Sequence, residues 1–333
     1  MQTALCLTNL GRLVGLCLLT TGCGLDSHPK TALETWDFEE VQAEAMRLGE
    51  KYGPEKVLLV FDIDNTLLAM RRGLGSDQWF GWQYGLEEGD PYRLGDLGAL
   101  VDIQGLLYAA SSMRPTFEEQ PDRVRELQAK GFPALMLTSR DHIFRDSTRR
   151  ELANNGYDFN ESAPKPHPEK AIGFIGPFLP FGETPDEQAG LSADEVDHWL
   201  KNEDGSPRSP RLASYSEGVF MTAGQDKGLM LRLLLERLGR TGEYEAIVFV
   251  DDHKRHSVRM QRAYRDDESI ELTTFLYSVE DGAVAAFYGN EEGALDTATE
   301  DWRRLWDLIN EVVDPAFELP DYEPAQDSGS TVR

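Results

Sequence analysis

The sequence predicts an α/β protein built on a mainly parallel sheet. Three observations carry that expectation. Apolar runs of strand length recur along the chain, helical patterns fall between them, and the runs are continuous rather than alternating, as strands covered on both faces are.

Taken in order, residues 31–52 are predicted as an amphipathic helix, because Phe38, Val41, Ala45 and Leu48 recur at helical spacing with Glu34, Asp37, Glu40 and Glu44 opposite. Lys56-Val57-Leu58-Leu59-Val60-Phe61 is the first buried strand and stops at Asp62. Residues 132–137, 218–221, 246–250 and 272–279 are runs of the same kind. Helices are expected over 122–130, 226–239, 252–264 and 298–313. Two stretches break the alternation: about 69–120, with its glycines and aromatics, and about 156–216, rich in Pro, Gly and acid. Both read as insertions over the carboxyl ends of strands, where open α/β sheets bind ligands. The principal domain is thus expected over 31–313, followed by a frayed polar tail, 314–333.

Composition narrows the chemistry. With 33 basic and 59 acidic residues the net charge is −26, which disfavours nucleic acid as a partner. Cys6, Cys17 and Cys23 are the three cysteines, so the body of the chain has no disulfide, thiolate nucleophile or cysteine-ligated metal. Of six histidines, only His253 and His256 lie close together, which argues against a zinc hydrolase.

The amino terminus reads as an address. Residues 1–22 hold no acid and one base, Arg12, followed by Leu13-Val14-Gly15-Leu16-Cys17-Leu18-Leu19. That apolar run is too short to span a membrane and suits a signal-peptide core. Thr20-Thr21-Gly22-Cys23 resembles the lipobox of bacterial lipoproteins, although Thr20 stands where Leu is usual. The resemblance implies export, a diacylated Cys23 with 23–30 as anchor and spacer, and, because Gly24 follows, the outer membrane; an ordinary cleaved signal is the alternative. The membrane is then a partner only through that anchor.

The chemistry concentrates at strand ends. Asp62-Ile63-Asp64-Asn65-Thr66 follows the first buried strand, and two carboxylates so placed need a cation or a proton between them. Phosphoryl transfer supplies both. The second buried strand ends in Thr138 and Ser139, hydroxyls able to donate to a phosphoryl oxygen or simply to cap the next helix. Lys227 opens a helix, where it opposes the dipole and calls for an anionic partner. Asp251 and Asp252 end another strand and complete an acidic set suited to Mg2+.

In this order the four segments resemble the motifs of the haloacid dehalogenase (HAD) superfamily, over about residues 56–278. Leu74-Gly75-Ser76-Asp77-Gln78-Trp79-Phe80 and Phe249-Val250-Asp251-Asp252 resemble a bacterial domain-of-unknown-function branch of secreted HAD-like proteins. Similarity to lipid-anchored class C acid phosphatases is one of organisation only, since Phe61 rather than Asp precedes Asp62. The resemblance implies a Rossmann-type three-layer sandwich with cap-like insertions. It implies a Mg2+-dependent phosphatase acting on a small phosphomonoester through an aspartyl-phosphate. Asp62 would be nucleophile and metal ligand, and Asp64 general acid and base with its main-chain carbonyl on the metal. Thr138, Ser139 and Lys227 would hold the phosphoryl group. Asp251 would ligate Mg2+ directly, and Asp252 would do so through water or orient Lys227. A silent HAD-fold binding or structural lipoprotein and a phosphotransferase are the alternatives. His253-Lys254-Arg255-His256, with Arg259 and Arg262, reads as a solvated helix face, and the aromatic group Trp79, Phe80, Trp82 and Tyr84 as the core of the cap.

Overall fold

The computed structural model describes residues 28–171, 176–180, 210–313 and 315. The expected signal peptide, Cys23 and, apart from Pro315, the tail 314–333 lie outside the described residues, as does much of the 156–216 insertion.

The elements run β1 (Lys30–Thr35), α1 (Phe38–Tyr52), β2 (Val57–Phe61), β3 (Leu68–Met70), α2 (Asp77–Gly85), α3 (Leu97–Ala110), β4 (Met113–Pro115), α4 (Gln120–Ala129), β5 (Ala134–Thr138) and α5 (Arg145–Asn154). They continue as β6 (Ser214–Ser216), β7 (Val219–Met221), α6 (Lys227–Arg237), β8 (Ala246–Asp251), α7 (Lys254–Ala263), β9 (Glu271–Tyr277), α8 (Asp281–Tyr288) and α9 (Ala294–Val312). Seven strands form one sheet in the order β1-β9-β8-β2-β5-β7-β6, parallel throughout except for β6 against β7. The α/β class and parallel sheet are as the sequence predicts.

Two-residue periodicity builds the two sides of the sheet. Val57, Leu59 and Phe61 of β2, with Val248 and Val250 of β8, face a core closed by Phe38, Val41, Ala45 and Leu48 of α1 and by Val124 and Leu127 of α4. The intervening Leu58, Val60, Ile247 and Phe249 face a second core made with Leu229 to Leu235 of α6 and Met260 of α7. Helix, sheet, helix is therefore the layering.

The predicted helix 31–52 starts only at Phe38. Residues 30–35 are instead the edge strand β1, paired with β9 in the register Lys30↔Leu272 to Thr35↔Tyr277, so Lys30 belongs to the sheet and not to a spacer. Asp37 sets the true helix start, its carboxylate accepting from the Glu39 N–H at 2.8 Å. One polar knot ties α1 to β9: Glu271, only 3% exposed, accepts from Arg47 (2.7 Å), Lys51 (2.6 Å) and the Tyr52 hydroxyl (2.7 Å). Burial pushes this carboxyl up, but those three donors outweigh it and hold it down at about 2. A carboxyl lowered on folding adds stability that is present above its unfolded value, 4.5, and is lost as pH falls towards about 2. Glu271→Gln is expected to lower stability at pH 7 by about 1–2 kcal/mol, Arg47 and Lys51 being half exposed. It should also flatten the loss between pH 4.5 and 2, followed by urea unfolding across that window.

The insertion after β2 sits inside the antiparallel pair β3–β4, so it spans 71–112 rather than 69–120. Its core (Trp79, Leu94, Leu100, Ile103, Leu107) is completed by Phe287, Ala298 and Trp302 from α8 and α9. The aromatics read as cap core divide accordingly: Trp79 is fully buried, Phe80 and Trp82 pack beside it, and Tyr84 is exposed. Both insertion and carboxyl-terminal helices leave the sheet at strand carboxyl ends, so this subdomain overhangs that edge. Within the other insertion, Phe178 bridges to Ala213 and stacks on Phe220, which places the described part of it against the main core.

Candidate active site at the strand switch point

From β2 the chain moves outward to β5 and β7, then returns to the other side of β2 as β8 and continues to β9. β2 and β8 are therefore the strands between which the order reverses, and their carboxyl ends are where such sheets bind ligands. β2 ends before Asp62 and β8 ends at Asp251, side by side, with the Asp62 N–H donating to the Val250 carbonyl at 2.9 Å.

The turn after β2 is tight. Thr66, Leu67 and Leu68 donate their N–H groups to the Ile63 carbonyl, and Asn65 takes positive φ (53°), a conformation Asn tolerates well. Thr66 Oγ1 accepts the Asp252 N–H at 3.1 Å and so joins this turn to the one after β8.

Lys227 enters from α6. Asp226 caps the helix, accepting from the Gly228 and Leu229 N–H groups at 3.0 and 3.2 Å. Gly228 allows α6 to lie against α7: a Cβ there would come within 2.7 Å of the Arg259 carbonyl oxygen and of Ala263 Cβ. With no exposed surface, Lys227 Nζ lies 2.7 Å from Asp62 Oδ1 and 2.7 Å from Asp251 Oδ2. The anionic partner that a lysine at a helix start calls for is this carboxylate pair. Burial would lower the ammonium, but Asp251 and Asp62 hold its pKa above the ordinary lysine value.

The carboxyls differ from one another. Burial, reinforced by Asp251 and Asp64 and opposed by Lys227, pushes Asp62 up to about 7. For Asp251 burial acts in the same direction but is overcome by His256 and Lys227, which hold it below the usual carboxylate range. Burial drives Asp252 well above that range. Its Oδ1 is buried and has no hydrogen-bond partner among the described residues. Lys227 lies between the carboxyls of Asp62 and Asp251, and Asp252 follows Asp251 in the chain. This oxygen-rich set, in which Asp252 Oδ1 and, apart from its ion pair with Lys227, Asp62 Oδ1 have no hydrogen-bond partner among the described residues, fits a hard divalent cation such as Mg2+. Ligand atoms of Asp62, Asp251 and His256 lie within 4.8 Å of one another, as do those of Asp77, Asp252 and His253.

Thr138 and Ser139 sit at the end of β5. Thr138 is fully buried and its Oγ1 accepts the Arg140 N–H at 3.1 Å, which leaves the hydroxyl proton to donate. Ser139 Oγ is buried without a partner among the described residues.

The structure brings Asp62, Lys227 and Asp251 into direct contact, and it adds residues that the sequence reading passed over. Both oxygens of Asp64 accept from Arg140, at 2.8 and 2.7 Å, and the Arg140 guanidinium lies 4.1 Å from the Tyr108 ring centre of α3. Arg140 lies two residues beyond the end of β5, in the segment Thr138-Ser139-Arg140, and that position at a strand end was its signal. His256 corrects the reading of the basic cluster as solvated: it is 3% exposed, with Nδ1 3.0 Å from each Asp251 oxygen. Its signal was the inward stripe His256, Met260 and Ala263 of α7. Of the acid pair, Asp251 rather than Asp252 contacts Lys227, while Asp252 Oδ1 has no hydrogen-bond partner among the described residues. On the insertion side, His253 Nε2 meets Asp77 Oδ2 at 3.2 Å.

Among the described residues no helix is long and apolar enough to cross a membrane. The chain belongs to the family described as a protein of unknown function, DUF2608, which matches residues 34–313. No curated protein and no solved structure matches it.

Proposed function

We propose that this member of the DUF2608 family is a Mg2+-dependent phosphatase of the HAD type, which hydrolyses a small phosphomonoester through an aspartyl-phosphate on Asp62. The observation that carries the reading is the buried Lys227 ammonium, 2.7 Å from Asp62 and from Asp251 at neighbouring strand ends. The HAD-like identity of the sandwich rests on the same residues, since all four matching segments fall at the carboxyl ends of β2, β5 and β8 or at the start of α6.

In this mechanism the Asp62 carboxylate attacks phosphorus. A bond from Asp62 to phosphorus forms, the ester bond to phosphorus breaks, and Asp64 gives a proton to the leaving oxygen. Water then attacks phosphorus, Asp64 takes its proton, and the bond to Asp62 breaks. A carboxyl has about four lone-pair sites, so the Arg140 fork orients Asp64 and still leaves it capacity to exchange a proton. Lys227, Thr138 and Ser139 donate to the phosphoryl oxygens, where charge builds. Asp62, Asp252 and the main-chain carbonyl of Asp64 would hold Mg2+, which when bound neutralises the carboxylates and the incoming phosphoryl group.

Adding Mg2+ to metal-stripped protein should switch on phosphate release from some member of a phosphomonoester panel, and chelation should switch it off. Release from none of them at any Mg2+ concentration contradicts the proposal. A second reading, a binding lipoprotein of the same fold without turnover, draws on the engagement of both Asp64 oxygens by Arg140. It predicts Mg2+ binding with no release.

Export and outer-membrane anchoring through Cys23 belong to the same proposal. Labelled fatty acid should enter the wild-type protein and not Cys23→Ser; equal labelling of both refutes the anchor.

A further inference from the structure

His256 is the buried titratable group at this site that the phosphatase mechanism leaves without a task. We propose that it is a positioning residue: it donates from Nδ1 to Asp251 and thereby fixes Lys227 against the Asp62 carboxylate. The inference rests on the phosphatase reading of the site and adds to it a residue outside the matching motifs.

Four side chains form a continuous buried line. His256 Nδ1 lies 3.0 Å from both Asp251 oxygens, Asp251 Oδ2 lies 2.7 Å from Lys227 Nζ, and Lys227 Nζ lies 2.7 Å from Asp62 Oδ1. Neither Lys227 nor Asp251 has exposed surface. The proton on His256 can be placed by donor and acceptor accounting. Arg255 Nε points at His256 Nε2 at 3.2 Å, and a guanidinium can only donate. Nε2 therefore carries the lone pair and Nδ1 carries the hydrogen, which is the arrangement a carboxylate accepts.

That hydrogen bond sets the rotation of the Asp251 side chain. The His253 N–H, donating to Asp251 Oδ1 at 2.8 Å, holds it from a second direction. The remaining oxygen faces Lys227. A lysine ammonium on four methylenes has three rotatable donors and no fixed direction of its own. Asp251 gives it one, and His256 gives Asp251 one. The ring could instead be counted as a metal ligand, since its atoms fall within 4.8 Å of ligand atoms of Asp62 and Asp251. A nitrogen that carries a hydrogen has no lone pair for a cation, so the tautomer separates the two roles.

The test compares His256→Ala and His256→Asn in the full chain, because the Asn amide presents an N–H near the position of Nδ1. With saturating Mg2+ and p-nitrophenyl phosphate, His256→Ala should lower kcat by about 10–100-fold with KM changed less than about threefold, and His256→Asn should recover most of kcat. Imidazole 15N shifts of the wild type should show Nδ1 protonated and Nε2 bare, a readout independent of turnover. Wild-type kcat in His256→Ala overturns the inference. So does the opposite tautomer, or a kcat loss that excess Mg2+ restores, the mark of a ligand. Should His256→Ala fail to fold, His256→Asn and the 15N shifts decide. Asp62→Asn measured alongside keeps the two claims apart: full activity there defeats the phosphatase reading, whereas a dead Asp62→Asn beside a fully active His256→Ala defeats only the role of His256.

Discussion

Asp62→Asn should lower Mg2+-dependent phosphate release by at least about 10³-fold while leaving the protein folded. The amide has nearly the same shape, so packing beneath the 4% exposed side chain is preserved. What is lost is the nucleophilic oxygen and the charge facing Lys227. Burial already works against ionisation of Asp62, so a neutral residue costs the fold little, and urea unfolding of metal-free protein should place the variant within about 1 kcal/mol of wild type or above it. Retention of more than about a tenth of the activity would remove Asp62 from the chemistry.

Lys227→Met should have the larger effect on stability. Met fills a similar volume but leaves Asp62 and Asp251 buried together with no ammonium between them. Removing one partner of a buried ion pair costs about 3–5 kcal/mol, and losing one donor to developing charge costs about 10²–10³-fold in kcat. Mg2+ should recover part of the stability by supplying positive charge, and none of the lost donor. Combining Lys227→Met with Asp251→Asn should restore much of the stability and leave turnover depressed, which separates the two functions of the lysine. Equal unfolding midpoints for Lys227→Met and wild type in metal-free buffer would contradict the account.

The sheet was legible in the sequence because its strands are covered on both faces, and continuous apolar runs such as Leu58 to Phe61 have few other readings. The strand ends were legible for a related reason: Asp62, Thr138 and Asp251 interrupt those runs abruptly. β1 was missed because an edge strand of mixed polarity, Lys30–Thr35, runs straight into a true helix and shares its charge pattern. The roof over the site could not be read locally, since Trp79 meets Trp302 across more than two hundred residues of chain. Lys227 was found through its conflict with the helix dipole, a local signal. Arg140 and His256 had only weak ones, because each acts on a carboxylate that another strand brings to it.

The central claim, a phosphoryl group carried on Asp62, is tested most directly by trapping it. Asp64→Asn should slow hydrolysis of the intermediate more than its formation when the substrate, p-nitrophenyl phosphate, has a leaving group that departs without a proton. After reaction with Mg2+ and an acid quench, peptide mapping should place one phosphoryl group on the fragment containing Asp62, labile to base and to hydroxylamine. Phosphate release without any such adduct, or a phosphoryl group found on another residue, would contradict it.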